Sequence, residues 1–103
     1  MSEIISLETI LSAPKSVMAR RVGDEVIVLD LARGEYYGLP AVGARIWELL
    51  VDGKSLVQIS NLIAIEYEVE SAKAVSDLLQ LVTDLCDKGL LVSTTRPASE
   101  NAI

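Results

Sequence analysis

Few side chains in this 103-residue chain have the chemistry that catalysis usually needs. Cys86 is the one thiol, and the sequence contains no histidine to deprotonate it. The lack of histidine also removes the commonest general base, the usual metal ligand and every Ser-His-Asp arrangement. One cysteine allows neither an intramolecular disulfide nor a cysteine-rich zinc site. The sequence therefore predicts a protein that is not an enzyme and needs no cofactor or metal, with Cys86 as a small apolar side chain on a helix.

The net charge of the chain is −6 at pH 7, and this acidity argues against a nucleic-acid partner. Binding to a phosphate backbone depends on clustered lysine and arginine side chains, and the pair Arg20–Arg21 is too small a cluster. The apolar runs are a few residues long, whereas a helix that spans a bilayer needs ~20 apolar residues. The N-terminus lacks the basic segment of a signal peptide. We therefore expect a cytoplasmic protein with neither a nucleic-acid nor a membrane partner.

The elements that position a binding site begin with three predicted strands. Residues 17–21 alternate in character, and residues 25–31 form a β-branched run of strand propensity. A third short strand spans residues 35–38 and contains two adjacent tyrosines. Short turns at residues 23–24 and 32–34 separate the three strands, so the sequence predicts an antiparallel meander.

Three predicted helices follow the strands. Pro40 suits the first turn of a helix, because its missing N–H group is not needed there, and Gly53 ends that helix. Ser55 and Gln58 have the spacing of a capping box at the start of the second helix. The third helix spans residues 70–88. The predicted fold is therefore α+β and winged helix-turn-helix-like, with a three-stranded antiparallel sheet followed by three α-helices.

We expect one folded domain, residues 16–92, between two terminal segments. Residues 1–15 form an N-terminal arm whose apolar pattern stops at Pro14, and both a helical turn and an extended strand remain open for it. The apolar run at residues 90–92 can form a small strand. Residues 93–103 are polar and are predicted to be a disordered C-terminal tail.

The third predicted strand and the third predicted helix are the elements with features of a binding site. The strand is the last of the meander and can present an unpaired edge. Tyr36 and Tyr37 point to opposite faces, so one ring packs inward and the other stays available. The helix carries two adjacent apolar stripes, wider together than the arc of ~100° that is typical of a surface helix. The stripes are formed by Val75, Leu79, Val82 and Cys86, and by Ala74, Leu78, Leu81 and Leu85.

An exposed strand edge beside an apolar helix surface is the geometry of peptide capture by strand addition. The alternative is that both stripes are buried and that another part of the chain covers the edge. Asp77, Asp84 and Lys88 share the helix face beside the second stripe. Such charges usually form a solvated face, but beside a groove they line its rim and set the register of a bound peptide.

Three segments of the sequence resemble the PqqD family and the related RiPP recognition elements. They are residues 23–30, the strand at residues 34–39, and the run Val42-Gly43-Ala44-Arg45-Ile46-Trp47-Glu48-Leu49-Leu50. The resemblance extends over residues 17–92. One departure is Leu39-Pro40, where many relatives have a polar residue after the leucine, and it affects only how the helix begins.

The resemblance implies a non-catalytic protein that binds the leader region of a ribosomally synthesised precursor peptide. In such proteins the leader is added as a strand to the third strand, against the third helix, and is then presented to a modifying enzyme such as a leader peptidase, a cyclase or a radical SAM protein. Lasso-peptide biosynthesis is the favoured setting, and pyrroloquinoline quinone biosynthesis is the alternative. The implied peptide contacts are Glu35, Tyr36, Tyr37, Gly38, Ala74, Asp77, Leu78, Leu81, Asp84, Leu85 and Lys88.

Two further functions are alternatives, and the first comes from the predicted topology. A winged-helix DNA-binding regulator shares it, but residues 71–88 contain two lysines against three aspartates, a net charge of −1 where DNA binding needs a basic helix. An enzyme that relies on aspartate and tyrosine groups would need a constellation that the sequence does not show. The free edge of the third strand can also pair with a second copy of the chain, which makes a homodimer possible.

Overall fold

A computed structural model describes residues 8–93 of the chain. The elements in chain order are β1 (Leu11–Ser12), β2 (Val17–Val22), β3 (Glu25–Asp30), β4 (Glu35–Leu39), α1 (Ala41–Val51), α2 (Leu56–Glu66), α3 (Ser71–Asp87) and β5 (Val92–Ser93). The three predicted strands correspond to β2, β3 and β4, and the three predicted helices to α1, α2 and α3. The α+β layout of a three-stranded antiparallel sheet followed by three helices is therefore confirmed.

The main sheet has the order β2-β3-β4, and both pairings are antiparallel. Alternate residues of β3 point to opposite faces, as the pleat of a strand requires. Val26, Val28 and Asp30 are buried on the face that packs against the helices. Leu29 lies on the other face, where it stands opposite Met18 of β2 and Tyr36 of β4. The helices thus cover one face of the meander.

The Asp30 side chain fixes the turn that leads into β4. Its Oδ1 atom accepts hydrogen bonds from the backbone N–H groups of Ala32 at 3.1 Å and Arg33 at 3.2 Å. The Gly34 N–H group donates to the Asp30 carbonyl oxygen at 2.8 Å, and Gly34 has a φ of +69°, which a residue without Cβ adopts at no steric cost. The Asp30 carboxylate thereby determines where β4 starts.

The helix boundaries follow the local signals in the sequence. Ser55 and Gln58 form the predicted capping box, with the Ser55 N–H group 2.9 Å from Gln58 Oε1 and the Gln58 N–H group 3.3 Å from Ser55 Oγ. Pro40 is the N-cap residue of α1. Lys88 is the C-cap residue of α3, and Gly89 follows it with a φ of +76°, the left-handed conformation that ends many helices.

The core lies between the inner face of the sheet and the three helices. Helix α1 is central, since Trp47 and Leu50 are both buried and the helix contacts β1, β3, β4 and α2. Trp47 is therefore a packing residue. The other buried apolar residues are Leu11, Val17, Val26, Val28, Leu39, Ala44, Ile46, Leu49, Leu56, Ile59, Ile63, Ala74, Leu78, Val82, Leu85, Leu90 and Leu91.

A chain of ion pairs connects the sheet to two helices at the surface. Arg45 of α1 binds the Glu66 carboxylate of α2 through Nε at 3.0 Å and Nη2 at 2.9 Å. Glu48 lies 3.9 Å from Arg45 Nη1 and 3.3 Å from Nε of Arg21 on β2. The hydrogen bonds from Arg45 lower the pKa of Glu66, so the stabilisation that this pair contributes is present at neutral pH and is lost as the pH falls through the lowered pKa.

The described part of the N-terminal arm contains a short extended segment, the strand β1. Leu11 pairs with Ser93 and Ser12 pairs with Val92, so β1 and β5 form a separate two-stranded antiparallel sheet. Leu11 is 2% exposed, and this part of the arm therefore contributes to the core. Ser93, the first residue of the predicted tail, is in β5. Residues 1–7 of the predicted arm and 94–103 of the predicted tail lie outside the described residues.

Within residues 8–93 no helix combines the length and the apolar character that crossing a membrane requires.

Candidate functional site

Strand β4 is an edge of the main sheet. Among the described residues its one strand neighbour is β3, so within residues 8–93 the outward side of β4 has no strand partner. In an antiparallel sheet the N–H and C=O groups of alternate residues point outward from an edge strand. Such a row of backbone groups can pair with an added strand.

The two tyrosines of β4 have different environments. Tyr36 is 72% exposed on the outer face of the sheet, whereas Tyr37 is half-buried and packs against the core. The prediction that one ring packs inward and the other stays available is therefore confirmed. The Tyr37 hydroxyl donates a hydrogen bond of 2.7 Å to Oε1 of Glu35. This bond raises the pKa of Tyr37, because loss of the phenolic proton would break it and bring two negative charges together.

Helix α3 lies beside β4, and two observations show this. Lys88 Nζ is 5.7 Å from the centroid of the Tyr37 ring. A Cβ atom built on Gly43 of α1 would lie 3.5 Å from Cβ of Leu39 and 3.8 Å from Cδ2 of Leu81. The C-terminal end of α3 thus lies near the middle of β4, and the centre of α3 lies near the C-terminal end of β4. We call this region, with the free edge of the strand, the β4–α3 surface.

The predicted contact residues on α3 divide into a buried row and an accessible flank. Ala74, Leu78 and Leu85 are 1–3% exposed, and with Val82 they form the row that packs into the core. This row takes residues from both predicted stripes, because the helical repeat of ~3.6 residues aligns positions 74, 78, 82 and 85 on one face. Leu81 is half-buried at the margin of that row, and the accessible charged residues are Asp77, Asp84 and Lys88.

The β4–α3 surface is charged at both ends of α3. Lys73 and Asp77, in the first turns of the helix, form an ion pair of 3.1 Å between two exposed side chains. Lys88, at the last turn, lies over the Tyr37 ring instead. Glu35, Tyr36 and Gly38 of β4 are all exposed. The structure thus brings Tyr37 and Lys88 together and leaves Asp77 near the opposite end of α3.

Sequence reasoning missed three residues that belong to this region. Leu39 and Leu81 both lie within 3.8 Å of the position that a Cβ atom on Gly43 would occupy. Arg33 lies next to Gly89, where a built Cβ atom would be 3.9 Å from Arg33 Nη2. A glycine inside a helical pattern often marks a close packing contact, and this signal was available for Gly43. For Arg33 no signal was available, because its neighbour is more than fifty residues away in the sequence.

Replacing Gly43 with alanine is expected to stabilise the protein. The added methyl group would make van der Waals contacts of 3.5–3.8 Å, and an alanine that fits the native backbone raises the free energy of unfolding by about 0.4–1 kcal/mol. Thermal unfolding should shift upward by roughly 2–6 °C. The matched control is Gly89→Ala, which is expected to lower stability by about 1 kcal/mol, because a residue with Cβ is strained at a positive φ. A lower melting temperature for Gly43→Ala would show that Leu39 and Leu81 cannot accommodate the methyl group.

Comparison with known proteins identifies the family. The family model described as Coenzyme PQQ synthesis protein D (PqqD) matches residues 25–91, which is more than half of the chain. The chain belongs to the PqqD family. The matched range runs from the start of β3 to the residue before β5, so it includes all of the β4–α3 surface. The family resemblance predicted from the sequence is therefore confirmed.

Two solved structures are similar to this member of the PqqD family. TbiB1 in complex with the TbiA(beta) leader peptide is 36% identical, with a TM-score of 0.77 over 82% of this chain and 99% of that chain. Lasso peptide synthetase B1 complexed with the leader peptide is 29% identical, with a TM-score of 0.75 over 80% of this chain and 96% of that chain. No protein of curated function matches the sequence. The described fold therefore corresponds to nearly the whole length of two leader-peptide-binding proteins.

Proposed function

We propose that this PqqD-family protein is a non-catalytic recognition element that binds the leader region of a ribosomally synthesised precursor peptide. The observation that carries the proposal is the edge of β4 beside α3, which has no strand partner within residues 8–93. An incoming leader segment would add a strand to β4, with backbone hydrogen bonds supplying affinity and side-chain contacts with α3 supplying selection. The similarity to two proteins in complex with leader peptides supports the same role.

Lasso-peptide biosynthesis is the setting that the comparisons favour. One similar structure is lasso peptide synthetase B1 with a leader peptide, and the other is TbiB1 with the TbiA(beta) leader peptide. This chain covers 96–99% of their length. Pyrroloquinoline quinone biosynthesis, which gives the family model its description, is the second setting. A DNA-binding role is not favoured, since α3 exposes Asp77, Asp84 and Asp87, which would repel a phosphate backbone.

The proposed contact residues have three different roles. Glu35, Tyr36, Tyr37 and Gly38 form the strand to which the leader is added, and their backbone supplies the pairing groups. The accessible side chains of α3 that face the leader are Asp77, Leu81, Asp84 and Lys88. Ala74, Leu78 and Leu85 have an indirect role, because they are buried in the core and hold α3 at its distance from β4.

The bound leader would be presented to a separate modifying enzyme in the cytoplasm. In the lasso setting this enzyme is a leader peptidase, and a cyclase or a radical SAM protein takes its place in other pathways. The chain itself would contribute no reacting group. It acts by raising the local concentration of the precursor at the enzyme, which is the general effect of linking two binding events.

Titration with a labelled leader peptide tests this proposal. The probe is a fluorescein-labelled synthetic leader of the precursor encoded beside this protein's gene, and fluorescence anisotropy measures binding. We expect a dissociation constant in the micromolar range or lower, and a scrambled peptide of the same composition should not bind. Equal binding of the two peptides, or no binding of either, would contradict the proposal.

Strand addition predicts a periodic response to changes in the peptide backbone. Methylation of one backbone nitrogen at a time removes one donor of the leader. Because only alternate residues of a strand at the edge of a sheet donate to their neighbour, affinity should fall at every second position within the bound segment. Losses at consecutive positions would indicate a helical or irregular bound peptide, even though the peptide still binds.

A further inference from the structure

Two cationic side chains from distant parts of the chain meet at one end of the β4–α3 surface. Arg33 belongs to the turn before β4, and Lys88 is the C-cap residue of α3. A Cβ atom built on Gly89 would lie 3.9 Å from Arg33 Nη2, so the guanidinium lies next to the residue that follows Lys88. The Lys88 ammonium lies 5.7 Å from the centroid of the Tyr37 ring, which directs it toward β4. Both cations belong to a chain with a net charge of −6.

Asp30 in the turn before β4 and Glu35 at the start of β4 already have hydrogen-bond partners. Asp30 accepts hydrogen bonds from two backbone N–H groups, and its Oδ2 is 3.8 Å from Nε of Arg33. Glu35 accepts a hydrogen bond from the Tyr37 hydroxyl. Among residues 8–93 no carboxylate oxygen lies within 4.0 Å of the Lys88 ammonium.

Both cations therefore keep N–H donors available for a ligand. A guanidinium has five such donors and an ammonium has three. The Arg33 side chain is 60% exposed, and within residues 8–93 its one carboxylate contact is the 3.8 Å approach to Asp30. A carboxylate at this position would accept charge-assisted hydrogen bonds, which are roughly twice as strong as those between neutral groups.

We propose that Arg33 and Lys88 together bind the carboxylate of an aspartate or glutamate in the leader peptide, next to the first half of β4. The inference rests on the proposed function and adds to it the type of residue that the site selects. Long-range electrostatics disfavour an acidic peptide, because the chain itself is acidic. Selection must therefore come from contact with this pair.

The geometry restricts the acidic residue to one position of the leader. A strand added to β4 presents every second side chain to the face on which Tyr37 and Lys88 lie. Next to Tyr37, a single such side chain lies within reach of both cations. At the other end of α3, Lys73 is already paired with Asp77 at 3.1 Å, so no equivalent preference for a carboxylate arises there.

The test combines variants of the protein with variants of the leader. In the synthetic leader encoded beside this gene, each aspartate or glutamate is changed in turn to its amide, and the dissociation constants are measured for the wild type and for the double variant Arg33→Gln/Lys88→Gln. We expect one amide substitution to weaken binding to the wild type about three- to tenfold, as for an exposed charge pair that becomes partly covered. The double variant should lose the same factor with the unmodified leader and lose nothing more with that amide peptide.

Arg20→Gln/Lys15→Gln is the matched control, since it removes an arginine and a lysine that are exposed and lie outside the β4–α3 surface. It changes the net charge by the same amount and is expected to leave the affinity unchanged or slightly higher. Lys88→Glu should bind weakly, and a leader in which the selected acidic residue is changed to lysine should restore its binding.

Three results would overturn the inference while the proposed function stands. They are a leader that binds tightly without any aspartate or glutamate, a double variant with wild-type affinity, and equal losses in the double variant and its control. Failure of the wild type to bind the leader at all would instead overturn the proposed function.

Discussion

Replacing Leu81 with aspartate is expected to weaken leader binding about 10- to 100-fold while the protein stays folded. Leu81 is half-buried, and its Cδ2 would be 3.8 Å from a Cβ atom on Gly43, a position that is also 3.5 Å from Cβ of Leu39, so Leu81 lies where α3 approaches α1 and the end of β4. A bound peptide would bury the exposed part of this side chain, and full burial of a leucine is worth about 1.5–3 kcal/mol. A carboxylate in its place would lose that contribution and would also have to be desolvated.

Leu79→Asp is the matched control for this variant. Leu79 is on the same helix, is also half-buried, and carries the same side chain. Two helical positions correspond to a rotation of ~200°, so Leu79 lies on the opposite flank of α3 from Leu81. Both variants should show similar losses of thermal stability, measured by circular dichroism, but only Leu81→Asp should lose affinity in the anisotropy titration. Equal losses of affinity would place the leader elsewhere on the protein.

Replacing Leu50 with alanine is expected to have the largest effect on stability. Leu50 is fully buried in α1, at the centre of the core, and the truncation of such a leucine costs about 3–5 kcal/mol through lost burial and the cavity that remains. A domain of this size has a free energy of unfolding of only about 5–15 kcal/mol. The midpoint of urea unfolding should therefore fall by roughly 2 M or more.

The neighbouring Trp47 is the only tryptophan of the chain, and it reports this unfolding by fluorescence. Leu31→Ala is the control, because Leu31 is 59% exposed in the turn after β3. Its truncation should change the free energy of unfolding by no more than about 0.5 kcal/mol. If Leu50→Ala unfolded at the same urea concentration as the control, the placement of α1 in the centre of the core would be wrong.

The features that the sequence predicts well depend on neighbouring residues. Ser55 and Gln58 are three positions apart, so the capping box and the start of α2 could be read directly from the sequence. The same holds for the turn signals that separate β2, β3 and β4. The family resemblance added the expected role of the strand and the helix. These local patterns were sufficient for the order of the elements and for the fold class.

The features that the sequence left undecided depend on contacts between distant residues. The β1–β5 pairing joins residues at least eighty positions apart, and no local pattern identifies such partners. On α3, Leu81 and Leu85 are both leucines of one predicted stripe, yet Leu85 is buried in the core and Leu81 lies at its margin. The rotation of a helix about its axis decides this difference, and tertiary packing sets that rotation.

The pairing of Leu11 with Ser93 also affects how the protein can be combined with other domains. Because β1 and β5 run antiparallel, the chain enters the described domain and leaves it at neighbouring points. Neither of these strands belongs to the main sheet, and β1 packs against α1. An enzyme or a second binding module can therefore be joined through either end of the domain, or the domain can be inserted into a longer polypeptide, with the edge of β4 still free to receive a peptide.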